Sequence, residues 1–123
     1  MKVKASTSLI FIQIPEELDP EDRETRYGEP LDAALRVAAV GFVSGGGTLY
    51  DAPDEDGERD IIFSGVDADV YDIDTGRALL RTELIALDCP ADTKLEFARA
   101  DGHWHDVFDG TGWRLAVRPF SIQ

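Results

Sequence analysis

Ile61-Ile62-Phe63-Ser64-Gly65-Val66-Asp67-Ala68-Asp69-Val70-Tyr71 runs straight into Asp72-Ile73-Asp74-Thr75-Gly76-Arg77-Ala78-Leu79-Leu80-Arg81-Thr82-Glu83-Leu84-Ile85-Ala86-Leu87-Asp88, and the hydrophobic period changes between them. The first segment begins as an apolar run and then alternates. That period of two marks a strand with one buried face and puts Asp67 and Asp69 together on the other. In the second segment Leu80, Leu84 and Leu87 form a helical stripe with Ile85 alongside, and Pro90 stops the helix near Asp88. Asp74 reads as the N-cap, and Asp72 adds negative charge where the helix dipole favours it.

Working outward, Leu9-Ile10-Phe11-Ile12-Gln13-Ile14 is short, rich in β-branched residues and closed by Pro15, which predicts a central strand buried on both faces. A polar connection follows from Glu16 to Gly28, in which Asp19-Pro20-Glu21-Asp22 can open one helical turn. Glu29-Pro30 starts a helix with Leu31, Ala34, Leu35 and Ala38 on its buried stripe, Asp32 and Arg36 paired outside, and Gly41 as its stop. The segment from Phe42 to Tyr50 reads as strand with a glycine-rich middle. The acidic loop from Asp51 to Asp60 joins it to the opening strand as a hairpin. Leu95 to Ala98 is the next strand, and Asp101-Gly102 signals a turn. Trp104 to Phe108 and Trp113 to Val117 are two further strands.

Strand, helix, strand, strand, helix, strand is the order of an α+β, ferredoxin-like βαββαβ antiparallel sheet with two helices on one face. The expectation is one domain over residues 1–123, with a C-terminal hairpin or edge-strand extension. The sheet's second face is left to be covered by that extension, by a second copy of the chain, or to stay polar.

The composition fits a globular domain: 123 residues, 43% hydrophobic and 30% charged. A single cysteine, Cys89, allows no internal disulfide and suits a reducing, cytoplasmic setting. The apolar run after Lys2 and Lys4 is too short for a membrane span and lacks a small-residue cleavage pattern, so no signal peptide is expected. The formal net charge of −13 repels phosphates and anionic membranes. Nucleic acid and membrane are therefore not expected partners. A basic protein is, unless the acidity serves solubility alone.

The candidate chemistry is sparse. His103 and His105 are two apart on a strand and so point the same way, with Asp101, Asp106 and Asp109 nearby in sequence. Two histidines with no third ligand at firm spacing predict no metal, and no cofactor is expected. Ser44-Gly45-Gly46-Gly47-Thr48 lacks the lysine and the following helix of a phosphate loop, and reads as a bent strand. Asp51, Asp54, Glu55, Asp56, Glu58 and Asp60 lack calcium-loop spacing and read as a solvated tip or a docking surface. Asp67, Asp69, Asp72 and Asp74 are either strand and cap residues or a carboxylate cluster able to hold Mg²⁺ or act as acid and base. Cys89 at a helix C-terminus gains no nucleophilic activation from the dipole.

The stretches GEPLDAALRVAAVGFVSGGGT, DADVYDIDTGRALLRTELIAL and CPADTKLEF, within residues 28–97, resemble a group of small uncharacterised bacterial ferredoxin-like proteins. Some of that group look like immunity proteins, cytoplasmic neutralisers of secreted toxins. The resemblance implies the same fold order and a non-enzymatic role, and it brings no catalytic residues. Sequence and resemblance together point to an acidic binding protein that occludes the active site of a basic toxin. Its partner-binding residues would be Asp54, Glu55, Asp56 and Glu58 in the loop, Asp67 and Asp69 on the strand, and Trp104 and Trp113 as aromatic anchors. The alternatives are a dimeric small-molecule-sensing or regulatory domain and, behind it, a metal-dependent enzyme built on His103 and His105.

Overall fold

Strand β1 (Ser8–Ile14) lies inside a six-stranded sheet, with β3 (Ile61–Val70) on one side and β4 (Lys94–Arg99) on the other. This computed structural model describes residues 6–50, 55 and 61–118; for 48–50, 61 and 62 it describes the backbone alone. The remaining strands are β2 (Gly41–Tyr50), β5 (Gly102–Phe108) and β6 (Trp113–Val117). The sheet order is β2-β3-β1-β4-β5-β6, with every neighbouring pair antiparallel. The sheet thus differs from a four-stranded one: the hairpin β5–β6 continues it beyond β4 and does not fold beneath it.

Among the described residues three α-helices lie between the strands, two after β1 and one after β3. Helix α1 (Pro20–Arg23) is capped by Asp19, whose carboxylate accepts the Asp22 N–H at 2.8 Å. One π-helical turn, Glu24–Gly28, joins it to α2 (Glu29–Val37), so the connection expected to be mostly irregular is largely helical. Tyr27 explains why: it is fully buried, and its hydroxyl donates to Glu16. Helix α2 ends before Gly41, because Ala39 takes the left-handed conformation (φ 56°) that was expected of the glycine. Helix α3 (Ile73–Ala86) is capped by Asp72, not Asp74: the Asp72 carboxylate accepts the Thr75 N–H at 2.9 Å. Asp74 lies in the first turn, free to meet cations from the side.

The core lies between one sheet face and α2 and α3. Ile10, Ile12 and Ile14 on β1, Val66, Ala68 and Val70 on β3, and Leu95 on β4 are fully buried there with Leu31, Leu35, Leu80 and Leu84. Strand β1 is not buried on both faces as its apolar run predicted. Leu9 is 51% exposed and Phe11 is half-buried, so a nearly continuous apolar sequence here serves a core on one side and an open surface on the other.

Candidate partner-binding face

The antiparallel register decides which side chains share the face away from the helices, because residues paired directly across a ladder point the same way. Asp69 pairs with Leu9, and Ala98 with His103, which together make one row across the sheet. The next row runs Asp67, Phe11, Glu96, His105 and Val117. The third runs Gly65, Gln13, Lys94, Val107 and Arg114. Phe11 therefore has an acidic residue opposite it on each neighbouring strand.

Phe11 is held in place. A Cβ on Gly65 would fall 2.7 Å from Phe11 Cε1, so the ring lies over the glycine in space no side chain could share. Phe63 meets the same ring edge-on, with centroids 6.0 Å apart. A cleft of about 400 Å³ opens beside it, lined by Ser8, Leu9, Phe11, Glu96, Ala98 and His103.

The charges of this face are loosely partnered. Glu96 accepts from the Gln13 amide at 3.2 Å, while His103 Nδ1 and His105 Nε2 stand 3.8 and 3.6 Å from its two oxygens. Burial pushes the His105 pKa down, against the pull of Glu96, and so favours the neutral imidazole at pH 7. Among the described residues Asp69 accepts the Thr7 hydroxyl, at 3.3 Å. Among the described residues Asp67, Asp69 and Glu96 form no ion pair with any lysine or arginine.

Asp67 and Asp69 thus share one half-buried surface. Of the loop carboxylates only Glu55, an exposed turn residue, is described; Asp54, Asp56 and Glu58 lie outside the described residues. The tryptophans do not join the aspartates. Trp104 pairs with Phe97, and Trp113 with Phe108, both on the helix side of the sheet. Trp104 donates to Asp101 at 3.0 Å and carries the Arg118 guanidinium 3.9 Å above its ring; Trp113 packs on Phe108 at 5.3 Å.

Strand alternation likewise separates Asp106 from His103 and His105. Asp106 is fully buried on the helix side. Its carboxylate accepts from Arg77 Nε and Nη2 at 2.8 and 2.7 Å, from Arg81 Nη1 at 2.8 Å and from the Ala116 N–H at 2.8 Å. Arg77, 5% exposed, stacks on Phe97 at 4.0 Å and also reaches Asp74. This cluster was not legible as such: only the i, i+4 spacing of Arg77 and Arg81 hinted at it. Asp109 instead caps a turn, accepting the Thr111 and Gly112 N–H groups, which hold its pKa down to about 2. Among the described residues no group of three or more histidine, cysteine or carboxylate side chains is placed to hold a metal ion. Burial pushes the Cys89 thiol up, and no helix among the described residues is long and apolar enough to cross a membrane.

Comparison with protein-family profiles, with curated proteins and with solved structures finds no match to this chain.

Proposed function

We propose that this protein is a non-enzymatic binding protein for a basic protein partner, acting as an immunity-type neutraliser that covers a toxin's active site. The observation that carries the reading is the open sheet face. Apolar Leu9, Phe11 and Phe63 lie among three carboxylates that have no lysine or arginine partner within the described residues. A formal net charge of −13 supports it by attracting a cationic partner over long range. We read the first four strands, in the order β2-β3-β1-β4 with helices after β1 and β3, as a ferredoxin-like core extended by β5–β6. That reading agrees with the resemblance to the small bacterial proteins.

The test is affinity capture from the source cell followed by association kinetics at two salt concentrations. Screening acts over ~8 Å at physiological ionic strength. Neutralising Asp54, Glu55, Asp56 and Glu58 together should slow association several-fold at low salt and leave dissociation less affected, as rim charges do. An association rate indifferent to salt and to these charges returns the acidity to a solubility role. A second reading, a dimeric sensory domain, is favoured by the same open face, since stacked sheets bury such surfaces. Sedimentation of the isolated chain separates the two.

A further inference from the structure

The two edges of the sheet are finished differently. Strand β6 has five residues and a bulge at Ala116 (φ 52°), whose N–H is taken by Asp106; Arg114 lies within it and Arg118 just beyond. A short, bulged and charged edge resists the addition of a foreign strand. Strand β2 has ten residues, with no lysine, arginine, carboxylate or proline, and among the described residues it pairs with β3 alone. Helix α2 engages its first part, where Asp32 accepts the Val43 N–H at 2.8 Å. The register shifts of β2 lie towards its ends, between Val43 and Gly45 and between Leu49 and Tyr50, and the pairing between them is regular. Ser44, Gly46 and Gly47 are exposed. We propose that residues 44–48 are an augmentation site: an extended segment of the basic partner adds there as a further strand, and a lysine or arginine of that segment, opposite Gly45, reaches the Asp67 carboxylate. The inference rests on the partner-binding reading above.

Three observations select a cationic strand as the occupant. First, the middle of this edge is bare main chain. A Cβ on Gly47 would meet nothing within 4 Å, so a second backbone can approach as closely as a ladder requires. Second, Asp67 is turned toward this edge. Gly45 is its direct partner on β2, and Asp67 Oδ2 lies 3.5 Å from the place that a Gly45 Cβ would take. A residue opposite Gly45 on an added strand starts about two strand spacings, roughly 10 Å, from Asp67. Among cationic side chains lysine and arginine have that reach, and the glycine between leaves their path open. Third, Asp67 forms no ion pair with any lysine or arginine of the described residues, so its charge is free to meet a partner's. A second copy of this chain is disfavoured as the occupant. Its own β2 has no cation to bring to Asp67, and a net charge of −13 on each chain opposes the pairing.

The experiment is an amide-resolved NMR titration of the full chain at low salt. The probe is a short capped peptide of threonine and valine with lysine at its centre, methylated on alternate amides so that it cannot pair with itself. The same peptide with a central glutamate is the control. Both are run on the native protein, on Asp67→Asn and on Gly45→Lys. The lysine in Gly45→Lys has ordinary van der Waals room beside Asp67 and supplies the cation from within the chain. Thermal unfolding confirms that both variants are folded. The lysine peptide should give saturable shifts and slowed amide exchange within residues 44–48, with a dissociation constant on the order of 1–10 mM. The glutamate peptide should bind about fivefold more weakly, and each variant should bring that ratio below about twofold. The proposal is overturned by lysine-peptide shifts that never saturate, by shifts without slowed exchange on β2, or by a preference for lysine that survives in Asp67→Asn. Self-association of the peptide-free chain that protects the same amides also overturns it. A captured basic partner that associates in a salt-dependent way, yet leaves the β2 amides unprotected and binds Asp67→Asn unchanged, removes the added strand and keeps the binding function.

Discussion

The two faces of the sheet handle charge in opposite ways. On the helix side the Asp106 carboxylate is fully buried and accepts four hydrogen bonds, three of them from guanidinium groups at 2.7–2.8 Å. On the open side Glu96 is partly exposed and its imidazole neighbours stand at 3.6 and 3.8 Å. A charge removed from water must be matched in place, because nothing else compensates its desolvation. A charge left at the surface keeps its water and can exchange it for a partner's cation. The closed cluster therefore belongs to the architecture: it ties α3 to β5 and, through Ala116, to the bulged edge strand β6. The loose set is the one that the proposed binding function would use.

The largest effect should come from breaking the closed cluster. Asp106→Ala leaves the Arg77 guanidinium buried without its main partner, and denaturant unfolding should show a loss of about 3–5 kcal/mol. A loss under about 1 kcal/mol would mean that water or a rearranged Asp74 replaces the carboxylate, and the contrast between the faces would weaken.

Acid should sharpen the same contrast. The Asp106 carboxyl is held below its usual range: burial works against the charged form, but the hydrogen bonds from Arg77 and Ala116 outweigh it. A depressed folded value gives stability that is present above the unfolded carboxylate range and is lost as pH falls through the folded value. His105 is also depressed in the fold, chiefly by burial, so its contribution is full above the ordinary histidine range near 6.5 and falls away as pH drops below it. Urea midpoints should therefore fall between pH 7.5 and 5.5 in the native protein, and fall less in His105→Gln. Equal falls would show that His105 takes up its proton as easily in the fold as in the unfolded chain.

On the open face, Glu96→Gln and Asp67→Asn should each move stability by less than about 1 kcal/mol while weakening partner binding. A large stability change would move these residues to the architectural side. The smallest effect belongs to Asp109, whose turn-capping carboxyl should titrate near 2 by NMR. A normal carboxylate value there would mean that the turn hydrogen bonds do not persist in solution.

Much of this was legible residue by residue. The switch of period at Tyr71–Asp72 located β3 and α3, and the alternation through Val66–Val70 placed Asp67 and Asp69 on one face, as the register confirms. The run Leu9–Ile14 misled because an exposed apolar face and a buried one look alike when both carry leucine and phenylalanine. The N-cap moved from Asp74 to Asp72 because either aspartate can cap, and the choice depends on which residue leaves the strand in extended backbone. Ala39 replaced Gly41 as the helix stop for a similar reason, since β2 must begin against Val70.

The sequence by itself determined the α+β class, the element types, the acidity and the pairing of aspartates on one strand face. These depend on local period and composition, which neighbours along the chain settle. Only the tertiary structure decided that Asp106 belongs to Arg77 and Arg81 and that Glu96 and Asp67 stand opposite Phe11 on the neighbouring strands. It also placed both tryptophans on the helix side, away from those carboxylates. Each of these is a contact between residues distant in sequence, set by strand order and register, and a one-residue shift of register would have reversed every one of them.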